Sequence, residues 1–349
     1  MSRERKSGSG MLMKISVVLI VVTLIVTIVE GIYYRNRISQ AAGEIEDTEK
    51  IEYTSHYTMI VEDKRSNFWQ NAYYGAVEAG KEQKAYVELF GSSLGTDDSK
   101  EELMRIAIAA KVDGIILEAN ETESMGELIN QAEENNIPVV TILSDNTECK
   151  RQSFIGVSNY ELGETYGKEV YKVLQENGYQ EQQPRNVLVL MNGDSDHYGQ
   201  KTLYFQLCET LKEHSGITIS SEEISMSNTF LVEEAVRDIF MQSELPDVVV
   251  CLDELTTECV YQAVVDYNKV DCVNIIGYYD GDTILKAIEN NIIYSSVSID
   301  AELMGKYCVD ALEEYRKNGK VNKYFTTDIS IIHNGNVQEY AGGKNEAEE

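Results

Sequence analysis

The chain has 349 residues, a hydrophobic content of 43% and a formal net charge of −29 at pH 7. Single hydrophobic cores stop growing at roughly 250–300 residues, so a chain of this length predicts two packed units. The large negative charge argues against a nucleic-acid partner, because affinity for phosphates depends on Lys and Arg. An acidic composition is typical of a solvated protein surface.

The first predicted element is an almost unbroken apolar run, residues 15–34. A helix of about 20 apolar residues spans the ~30 Å hydrocarbon core of a bilayer. Four basic residues precede the run: Arg3, Arg5, Lys6 and Lys14. By the positive-inside rule they place residues 1–14 in the cytoplasm and everything after Tyr34 outside. We therefore predict a single transmembrane anchor in the cell membrane with an extracytoplasmic C-terminal domain.

A cleaved signal peptide is the alternative interpretation of this segment, and it requires a small-x-small site just beyond the apolar core. Residues 30–34 are Glu-Gly-Ile-Tyr-Tyr, whose bulky side chains would block such a site. No Cys lies near the end of the run, which argues against a lipid-modified N-terminus. The sequence thus favours an uncleaved anchor.

Two further segments are predicted to lie outside any packed unit. Residues 35–56 are polar and acidic and show no apolar periodicity, which is typical of a linker. Residues 341–349, at the end of the chain, are predicted to be a disordered tail.

Between these segments, short apolar runs alternate with longer amphipathic ones. The predicted strands are 57–61, 86–90, 114–118, 138–143, 187–191, 247–252 and 274–278. A helix opens near Asn67, and further predicted helices are 99–110, 122–135, 159–177, 229–243 and 255–267. Four of them start at a residue suited to capping: Ser99, Thr122, Asn159 and Thr229. The alternation predicts an α/β fold of parallel, right-handed βαβ units with helices on both faces of the sheet.

The alternation has a seam near residue 157. The apolar run 153–157 follows 138–143 after only a polar loop, and a long helix from Asn159 then begins a new series. We interpret the seam as a crossing between two similar lobes. A cleft between lobes is a preferred place for a small-molecule site.

Three motifs carry a resemblance to a known family: NIPVVT at 136–141, IGVSNYELG at 155–163 and IIGYYD at 275–280. In this order and spacing the chain resembles the ribose-binding-protein-like (type I) periplasmic binding proteins from Tyr57 to Tyr340. The resemblance implies two Rossmann-like lobes with parallel sheets, joined by three hinge crossings and closing on a ligand. Lobe 1 would comprise 57–157 and 300–326, and lobe 2 would comprise 158–299 and 327–340.

The resemblance also implies where a sugar would bind. Phe68 and Trp69 fall where the family places two aromatic residues that sandwich a sugar ring, whose apolar C–H face stacks on an aromatic ring. The alternative is that one of the two anchors the helix to the core. Ser66, Glu62 and Asp253 fall at positions where the family places polar ligand contacts.

Other positions depart from the family pattern. The acid after the fourth strand falls at Leu143 or, with a small shift, at Ser144 or Asp145, and the expected Arg of lobe 2 falls near Tyr198. The late cleft acid is replaced by Tyr279, with Asp280 next to it. The candidate ligand-binding residues are therefore Phe68, Trp69, Ser66, Glu62, Asp63, Ser144, Asp145, Asn159, Tyr198, Asp253, Tyr279 and Asp280.

These departures leave the ligand class open between two chemistries. A monosaccharide bound through every hydroxyl would lose several partners, and each unpaired buried hydroxyl costs on the order of 1–3 kcal/mol. The remaining set is acidic and aromatic, which would also suit a cationic or amine-bearing ligand. We expect a sugar or a similar small polar molecule, with an amine-bearing ligand as the alternative.

The sequence offers little support for catalysis. Its four His residues show no Ser-His-Asp, His-Cys or metal-ligand spacing, and no phosphate-binding GxxxxGK[ST] motif is present. The six Cys residues are scattered without a zinc pattern and favour buried thiols. We predict no catalytic residue, no metal, no cofactor and no enzymatic activity.

Three functions are compatible with the resemblance. The first is a membrane-anchored extracytoplasmic solute-binding protein that reports its ligand to a membrane sensor, such as a sensor kinase or a methyl-accepting receptor. The second is the substrate-binding subunit of an ABC sugar importer, which hands its ligand to a permease. The third, a transcription regulator of the lactose-repressor type, fails because the N-terminus offers a membrane span and no DNA-binding helices. The departures from the family's sugar-binding pattern and the lack of a Cys for a lipid anchor favour the first function, a binding protein that reports to a membrane sensor.

Overall fold

The computed structural model describes residues 52–91, 99–180, 183–193, 198–226 and 228–341. The predicted cytoplasmic segment, the anchor 15–34 and most of the linker lie outside the described residues, as does the tail after Ala341. Within the described ranges, every helix is too short or too polar to cross a bilayer.

The described residues form twelve strands and ten helices. The strands are β1 (Ser55–Ile60), β2 (Ala85–Leu89), β3 (Gly114–Leu117), β4 (Val139–Ile142), β5 (Ser153–Gly156), β6 (Arg185–Asn192), β7 (Ile217–Ile224), β8 (Val248–Cys251), β9 (Asn274–Tyr278), β10 (Ser295–Ile299), β11 (Tyr324–Thr326) and β12 (Ile329–His333). The helices are α1 (Asn67–Gln83), α2 (Lys100–Ala110), α3 (Glu123–Glu134), α4 (Asn159–Glu176), α5 (Tyr198–Leu211), α6 (Thr229–Phe240), α7 (Glu254–Asp266), α8 (Asp282–Glu289), α9 (Ala301–Asn318) and α10 (Val337–Ala341).

The strands build two six-stranded sheets, which confirms the two-lobed α/β fold. Sheet order is β11-β5-β4-β3-β1-β2 in lobe 1 and β12-β10-β9-β8-β6-β7 in lobe 2. Neighbouring strands are parallel except β12, which runs antiparallel to β10. The chain passes between the sheets three times, from β5 to α4, from β10 to α9 and from β11 to β12, and the hinge crossings expected from the family are therefore present.

All seven predicted strands are present, and the central ones are apolar runs buried on both faces. Every residue of β3, β4 and β8 is buried, as a parallel sheet covered by helices on both faces requires. The prediction missed β7, β10, β11 and β12. Of these, β7 lies at the edge of its sheet and has mostly exposed or half-buried side chains. An edge strand needs no continuous apolar run. β1 begins at Ser55, inside the segment predicted as linker, because Ser55 pairs with Ala85 of β2.

Two of the four predicted helix caps are confirmed and two are wrong by one residue. Ser99 accepts a hydrogen bond from the Glu102 N–H, and Thr122 accepts one from the Met125 N–H. The cap of α4 is Ser158 rather than Asn159, and the cap of α6 is Asn228 rather than Thr229. Adjacent Ser, Thr and Asn residues are equally suited to capping, so only the backbone conformation distinguishes them.

Helices α1 and α9 of lobe 1 pack unusually closely because a glycine lies at each contact. A Cβ added at Gly75 would lie 2.0 Å from the Glu302 carbonyl oxygen, and one at Gly305 would lie 1.8 Å from the Ala72 carbonyl oxygen. Helix α9 starts directly after the second crossing. The contact therefore joins the hinge region to the helix that carries the predicted aromatic pair.

Candidate functional site

The N-terminus of α1 forms the corner at which lobe 1 faces lobe 2. Ser66 caps the helix, and its hydroxyl accepts a hydrogen bond from the Trp69 N–H at 3.3 Å. The Ser66 carbonyl accepts from the Gln70 N–H at 3.0 Å. The predicted residue Ser66 therefore lies at this corner, where its side chain has a structural role as a cap.

Phe68 and Trp69 lie in the first turn of α1 and are buried, with 4% and 5% of their surface exposed. Their rings contact each other edge to face, with centroids 5.0 Å apart and an angle of 84° between the planes. No sugar ring fits between two rings in this arrangement. Phe68 also reaches lobe 2, where its ring lies 5.3 Å from that of Tyr279 and 6.2 Å from that of Tyr278.

Two hydrogen bonds cross the cleft beside these rings. The Asn67 amide donates to Glu254 Oε1 at 2.8 Å, and the Asn71 amide donates to the Tyr279 hydroxyl at 2.6 Å. Asn67 and Asn71 lie one turn apart on α1, whereas Glu254 opens α7 and Tyr279 follows β9. The carboxyl ends of β8 and β9 thus meet the N-terminus of α1, the place where α/β folds bind small molecules.

Tyr279 has a strained backbone conformation for a bulky residue. Its φ is +74° and only 2% of its surface is exposed. Its N–H donates to the Val297 carbonyl at 2.8 Å, and its carbonyl accepts from the Ser296 hydroxyl at 2.6 Å. Non-glycine residues with positive φ cost on the order of 1–3 kcal/mol and persist where the surroundings hold them. Neighbouring β10 therefore fixes the Tyr279 side chain toward lobe 1.

Two carboxyl groups of lobe 2 lie at the start of α7. Asp253 caps the helix and accepts hydrogen bonds from the Thr256 N–H at 2.8 Å and the Thr256 hydroxyl at 2.9 Å. Burial raises the pKa of the Asp253 carboxyl, and the bonds from Thr256 oppose the shift. Burial also raises the pKa of Glu254, opposed by the Asn67 side chain and by the backbone N–H groups of Phe68 and Asn67. None of the ion pairs among the described residues involves either carboxylate.

The acids of lobe 1 have a cation of their own. The Lys100 ammonium lies 3.0 Å from Glu62 Oε2 and 3.6 Å from Glu118 Oε2. Glu118 also accepts from the Glu62 N–H at 2.7 Å. Burial raises the pKa of Glu118, and the Lys100 charge opposes the shift without cancelling it. The predicted residue Glu62 is exposed and already paired, and Asp63, its exposed neighbour, accepts from the Arg65 N–H at 3.1 Å.

Ser144 and Asp145 lie in the loop after β4. The Asp145 carboxylate binds the Arg151 guanidinium through both oxygens and accepts from the Thr141 hydroxyl at 2.7 Å. Arg151 in turn donates to the Lys323 carbonyl at 3.2 Å. These contacts all lie within lobe 1, so the structure gives Asp145 a structural partner.

Three predicted residues remain, all in lobe 2. Asn159 is the first residue of α4, and its amide packs against Gly199, where a Cβ would lie 2.7 Å from Asn159 Nδ2. Tyr198 starts α5, but its side chain lies outside the described residues. Asp280 follows Tyr279 and is half-buried. Asp253, Tyr279 and Asp280 thus lie near one another around Tyr278 in lobe 2, whereas the partners of Asp145 lie within lobe 1.

The structure adds residues that the sequence reasoning did not select: Asn67, Asn71, Lys100, Glu118 and Glu254. Glu118 and Glu254 both follow the carboxyl end of a parallel strand, which is a usable signal. The sequence signal for Asn67 and Asn71 is weaker: their four-residue spacing places both side chains on one face of the helix. Within the described part of the chain, no three His, Cys, Asp or Glu residues form a group that could hold a metal ion.

Comparison with known proteins identifies the family that shares this architecture. The family model described as "Periplasmic binding protein domain" matches residues 57–320. This chain belongs to the periplasmic binding protein family. The match spans both lobes and all strands from β1 to β10, and the family consists of solute-binding proteins, which are not enzymes. No curated protein sequence matches the chain significantly.

Solved structures of the family resemble this binding protein closely. XylFII is 27% identical, with a TM-score of 0.69, covering 80% of this chain and 98% of XylFII. A structure of the XylFII-LytSN complex gives 27% identity, a TM-score of 0.70 and the same coverage. GanP of Geobacillus stearothermophilus, a glucose-galactose binding protein, is 23% identical, with a TM-score of 0.70 and coverage of 80% and 98%. At that identity GanP supports the fold alone.

Proposed function

We propose that this chain is a membrane-anchored extracytoplasmic solute-binding protein. In this proposal it binds a sugar or a similar small polar molecule in the cleft between its lobes and reports the bound ligand to a sensor partner in the membrane. It catalyses no reaction. The anchor is the apolar segment 15–34, which leaves both lobes outside the cell membrane.

The observation that carries the proposal is the meeting of polar and aromatic groups from both lobes at the α1 N-terminus. Asn67 and Asn71 of lobe 1 face Glu254 and Tyr279 of lobe 2, next to the ring of Phe68. Amides donate to hydroxyl oxygens, carboxylates accept hydroxyl protons, and aromatic rings pack on apolar C–H faces. A sugar presents all three surfaces to one cleft.

The charges favour a neutral ligand over an amine-bearing one. Two of the acids predicted to attract a cation already have one, since Glu62 lies beside Lys100 and Asp145 binds Arg151. A third, Asp253, uses both carboxylate oxygens to cap α7. A cationic ligand would therefore find fewer available carboxylates than the sequence suggests.

The sensor partner is supported by the relative in the XylFII-LytSN complex, which is 27% identical over almost its whole length. An uncleaved anchor also fits a protein that stays beside a membrane partner. A permease of an ABC importer is the alternative partner. In that case, uptake of the ligand would depend on this protein.

The ligand is tested with the full-length protein in detergent micelles, screened against pentoses, hexoses, polyols and amino sugars. Trp69 is the only Trp of the chain and lies against Phe68, so its fluorescence reports on the corner. We expect a neutral sugar to change the Trp69 emission and to raise the melting temperature. Stabilisation by amino sugars alone would support the amine-bearing ligand, and no response to any compound would contradict a solute-binding function.

The partner is tested by deleting the gene and measuring uptake of the sugar that the screen identifies. We expect uptake to continue at the wild-type rate while the transcriptional response to that sugar is lost. Loss of uptake would contradict the sensor function and identify the chain as an importer subunit. Complementation with a chain lacking residues 1–34 tests whether the anchor is needed.

A further inference from the structure

The six strands of lobe 1 all begin at the end of the lobe that lies opposite the cleft. They run parallel to one another, so their amino ends share one edge of the sheet and their carboxyl ends share the other. The segments that lead into these strands are 52–54, 84, 111–113, 135–138, 150–152 and 319–323. Together with the first residues of the strands, they form a surface that we call the basic end.

Cations outnumber acids in these segments. The cations are Lys84, Lys111, Lys150, Arg151, Lys320 and Lys323, and the acids are Glu52 and Asp113. The segments of lobe 2 that lead into β7, β8, β9 and β10 show the reverse, with the cations Lys212 and Lys269 and the acids Glu213, Glu244, Asp247 and Asp271. Since the whole chain has a net charge of −29, the basic end departs locally from an acidic surface.

Most of the positive charge at the basic end is not neutralised by neighbouring acids. Four of its lysines are exposed and form no ion pair with another described residue: Lys84, Lys111, Lys320 and Lys323. Lys323 donates only to a backbone carbonyl, that of Arg151, at 3.3 Å. Of the two acids, Asp113 accepts a hydrogen bond from the His56 N–H at 2.7 Å. The four lysines are therefore available to an anionic partner.

Three exposed tyrosines accompany these lysines. Tyr53 is 41% exposed, Tyr86 47% and Tyr324 63%. The rings of Tyr53 and Tyr86 lie 5.6 Å apart, whereas Tyr324 lies in β11, at the opposite edge of the sheet from β2. Strands are spaced by about 4.8 Å, so the basic end is on the order of 24 Å wide. Lysines and tyrosines spread over such a width suit an extended surface, and tyrosine rings favour the boundary between lipid and water.

The acidity of the rest of the chain does not prevent contact with an anionic surface. Charges in solution interact over about 8 Å at physiological ionic strength. Helix α1, of 17 residues, reaches from the cleft to the basic end and is therefore about 25 Å long. The acids at the cleft thus lie beyond the range of a charged surface that touches the basic end. Each lysine held near anionic lipid strengthens binding about fivefold.

We propose that the basic end of lobe 1 lies on an anionic phospholipid surface, with its lysines on the headgroup phosphates and its tyrosines at the level of the headgroups. The inference rests on the proposed function in one respect, because the anchor 15–34 would bring lobe 1 to the membrane. Only residues 35–51 separate that anchor from the first described residue, Glu52. The cleft, at the other end of the strands, then faces away from the bilayer, where an extracytoplasmic domain of a sensor reaches it.

The test is covalent labelling of lysines with an acetylating reagent, read by mass spectrometry, on the full-length protein in lipid nanodiscs. One set of discs contains phosphatidylcholine alone, and the other contains equal parts of phosphatidylcholine and phosphatidylglycerol. We expect the four exposed lysines of the basic end to label at least about threefold more slowly in the phosphatidylglycerol discs. Sodium chloride at about 1 M, which shortens the range of charge interactions to about 3 Å, should abolish the difference. Lys212 and Lys286, which are exposed in lobe 2, should label equally in both discs.

Two triple variants separate the charge of the basic end from the charge of the whole protein. The first removes three lysines of the basic end: Lys84→Gln, Lys320→Gln and Lys323→Gln. The matched control removes three exposed lysines of lobe 2: Lys168→Gln, Lys212→Gln and Lys286→Gln. In the first variant, Lys111 should label in phosphatidylglycerol discs as fast as in phosphatidylcholine discs. In the control, Lys111 should stay slow, and both variants should melt like the wild type because the changed side chains are exposed.

Two results would overturn the contact with lipid directly. Equal labelling of the basic end in both kinds of disc would show that it does not touch anionic lipid. Labelling that is equally slow in both discs and in detergent micelles would show that another part of this protein, or a second copy, covers the basic end.

Failure of the anchor gives a different result from failure of the basic end. A chain that enters neither kind of disc would contradict the anchor of the proposed function. The same protein mixed with phosphatidylglycerol vesicles should then still show slower labelling of the four lysines, and an unchanged rate there would overturn the inference.

Discussion

At the scale of single residues, several buried charges in the described part of the chain are paired within their own lobe. Lys100 and Glu118 are an example, with side chains that are only 10% and 11% exposed. Breaking a buried pair costs more than never forming it, because the remaining charge stays out of water. The pair therefore sets the rigidity of the loop after β3, where lobe 1 faces the cleft.

We predict that Lys100→Ala lowers the free energy of unfolding by about 3 kcal/mol at neutral pH. Burial already raises the pKa of Glu118, and loss of the ammonium raises it further. When folding raises the pKa of a carboxyl, the folded protein becomes less stable as the pH rises above the ordinary pKa of that carboxyl. The stability lost in Lys100→Ala should therefore be larger at pH 8 than at pH 5. Urea unfolding at both pH values measures it.

The control for this prediction is the double variant Lys100→Ala with Glu118→Gln, which removes the unpaired charge. It should recover most of the lost stability at pH 8. If the single and double variants are equally unstable, the loss comes from packing of the Lys100 side chain and not from its charge.

At the scale of elements, the contact between α1 and α9 depends on two glycines. A Cβ would lie only 2.0 Å from a backbone atom at Gly75 and 1.8 Å at Gly305, which leaves no room for a methyl group. These contacts involve backbone, which cannot rotate away as a side chain can. The helix pair therefore moves as one body with the crossing from which α9 starts.

We predict that Gly305→Ala lowers the free energy of unfolding by about 3 kcal/mol, the upper end for overpacking, although Ala is the better helix former. Gly126→Ala in α3 is the matched control. A Cβ there meets the Asn146 side chain at 3.4 Å, and we expect a gain of about 0.5–1 kcal/mol from helix propensity. Chemical unfolding of the three proteins compares them, and equal stability of both variants would contradict close backbone packing at Gly305.

At the scale of the whole molecule, the chain crosses between the lobes three times, and the Asn67–Glu254 and Asn71–Tyr279 hydrogen bonds join the lobes across the cleft. Hinge closure of this kind is governed by the free-energy difference between open and closed states. We predict that a saturating concentration of the sugar that the screen identifies lowers the radius of gyration of the full-length protein, because a ligand in the cleft contacts both lobes. Neutron scattering with contrast-matched detergent measures the radius with and without the sugar, and an unchanged radius would contradict closure on the ligand.

Much of this architecture follows from local patterns in the sequence. β3, β4 and β8 are apolar without interruption, and only a sheet covered on both faces buries such strands. The edge strand β7 lacks that pattern and was missed, because its side chains are mostly exposed or half-buried. The caps Ser158 and Asn228 were missed by one residue, since neighbouring polar residues cap equally well in isolation.

The sequence by itself determined the alternation of strands and helices, the two lobes and the corner at Phe68 and Trp69, because hydrophobic periodicity and capping are properties of neighbouring residues. Only the tertiary structure decided which partner each polar group takes. Glu254 meets Asn67 from 187 positions away, and Tyr279 meets Asn71 from 208. Hydrogen bonds and ion pairs depend on distances between atoms in space, and contacts between the lobes arise only once the three crossings have brought both sheets together.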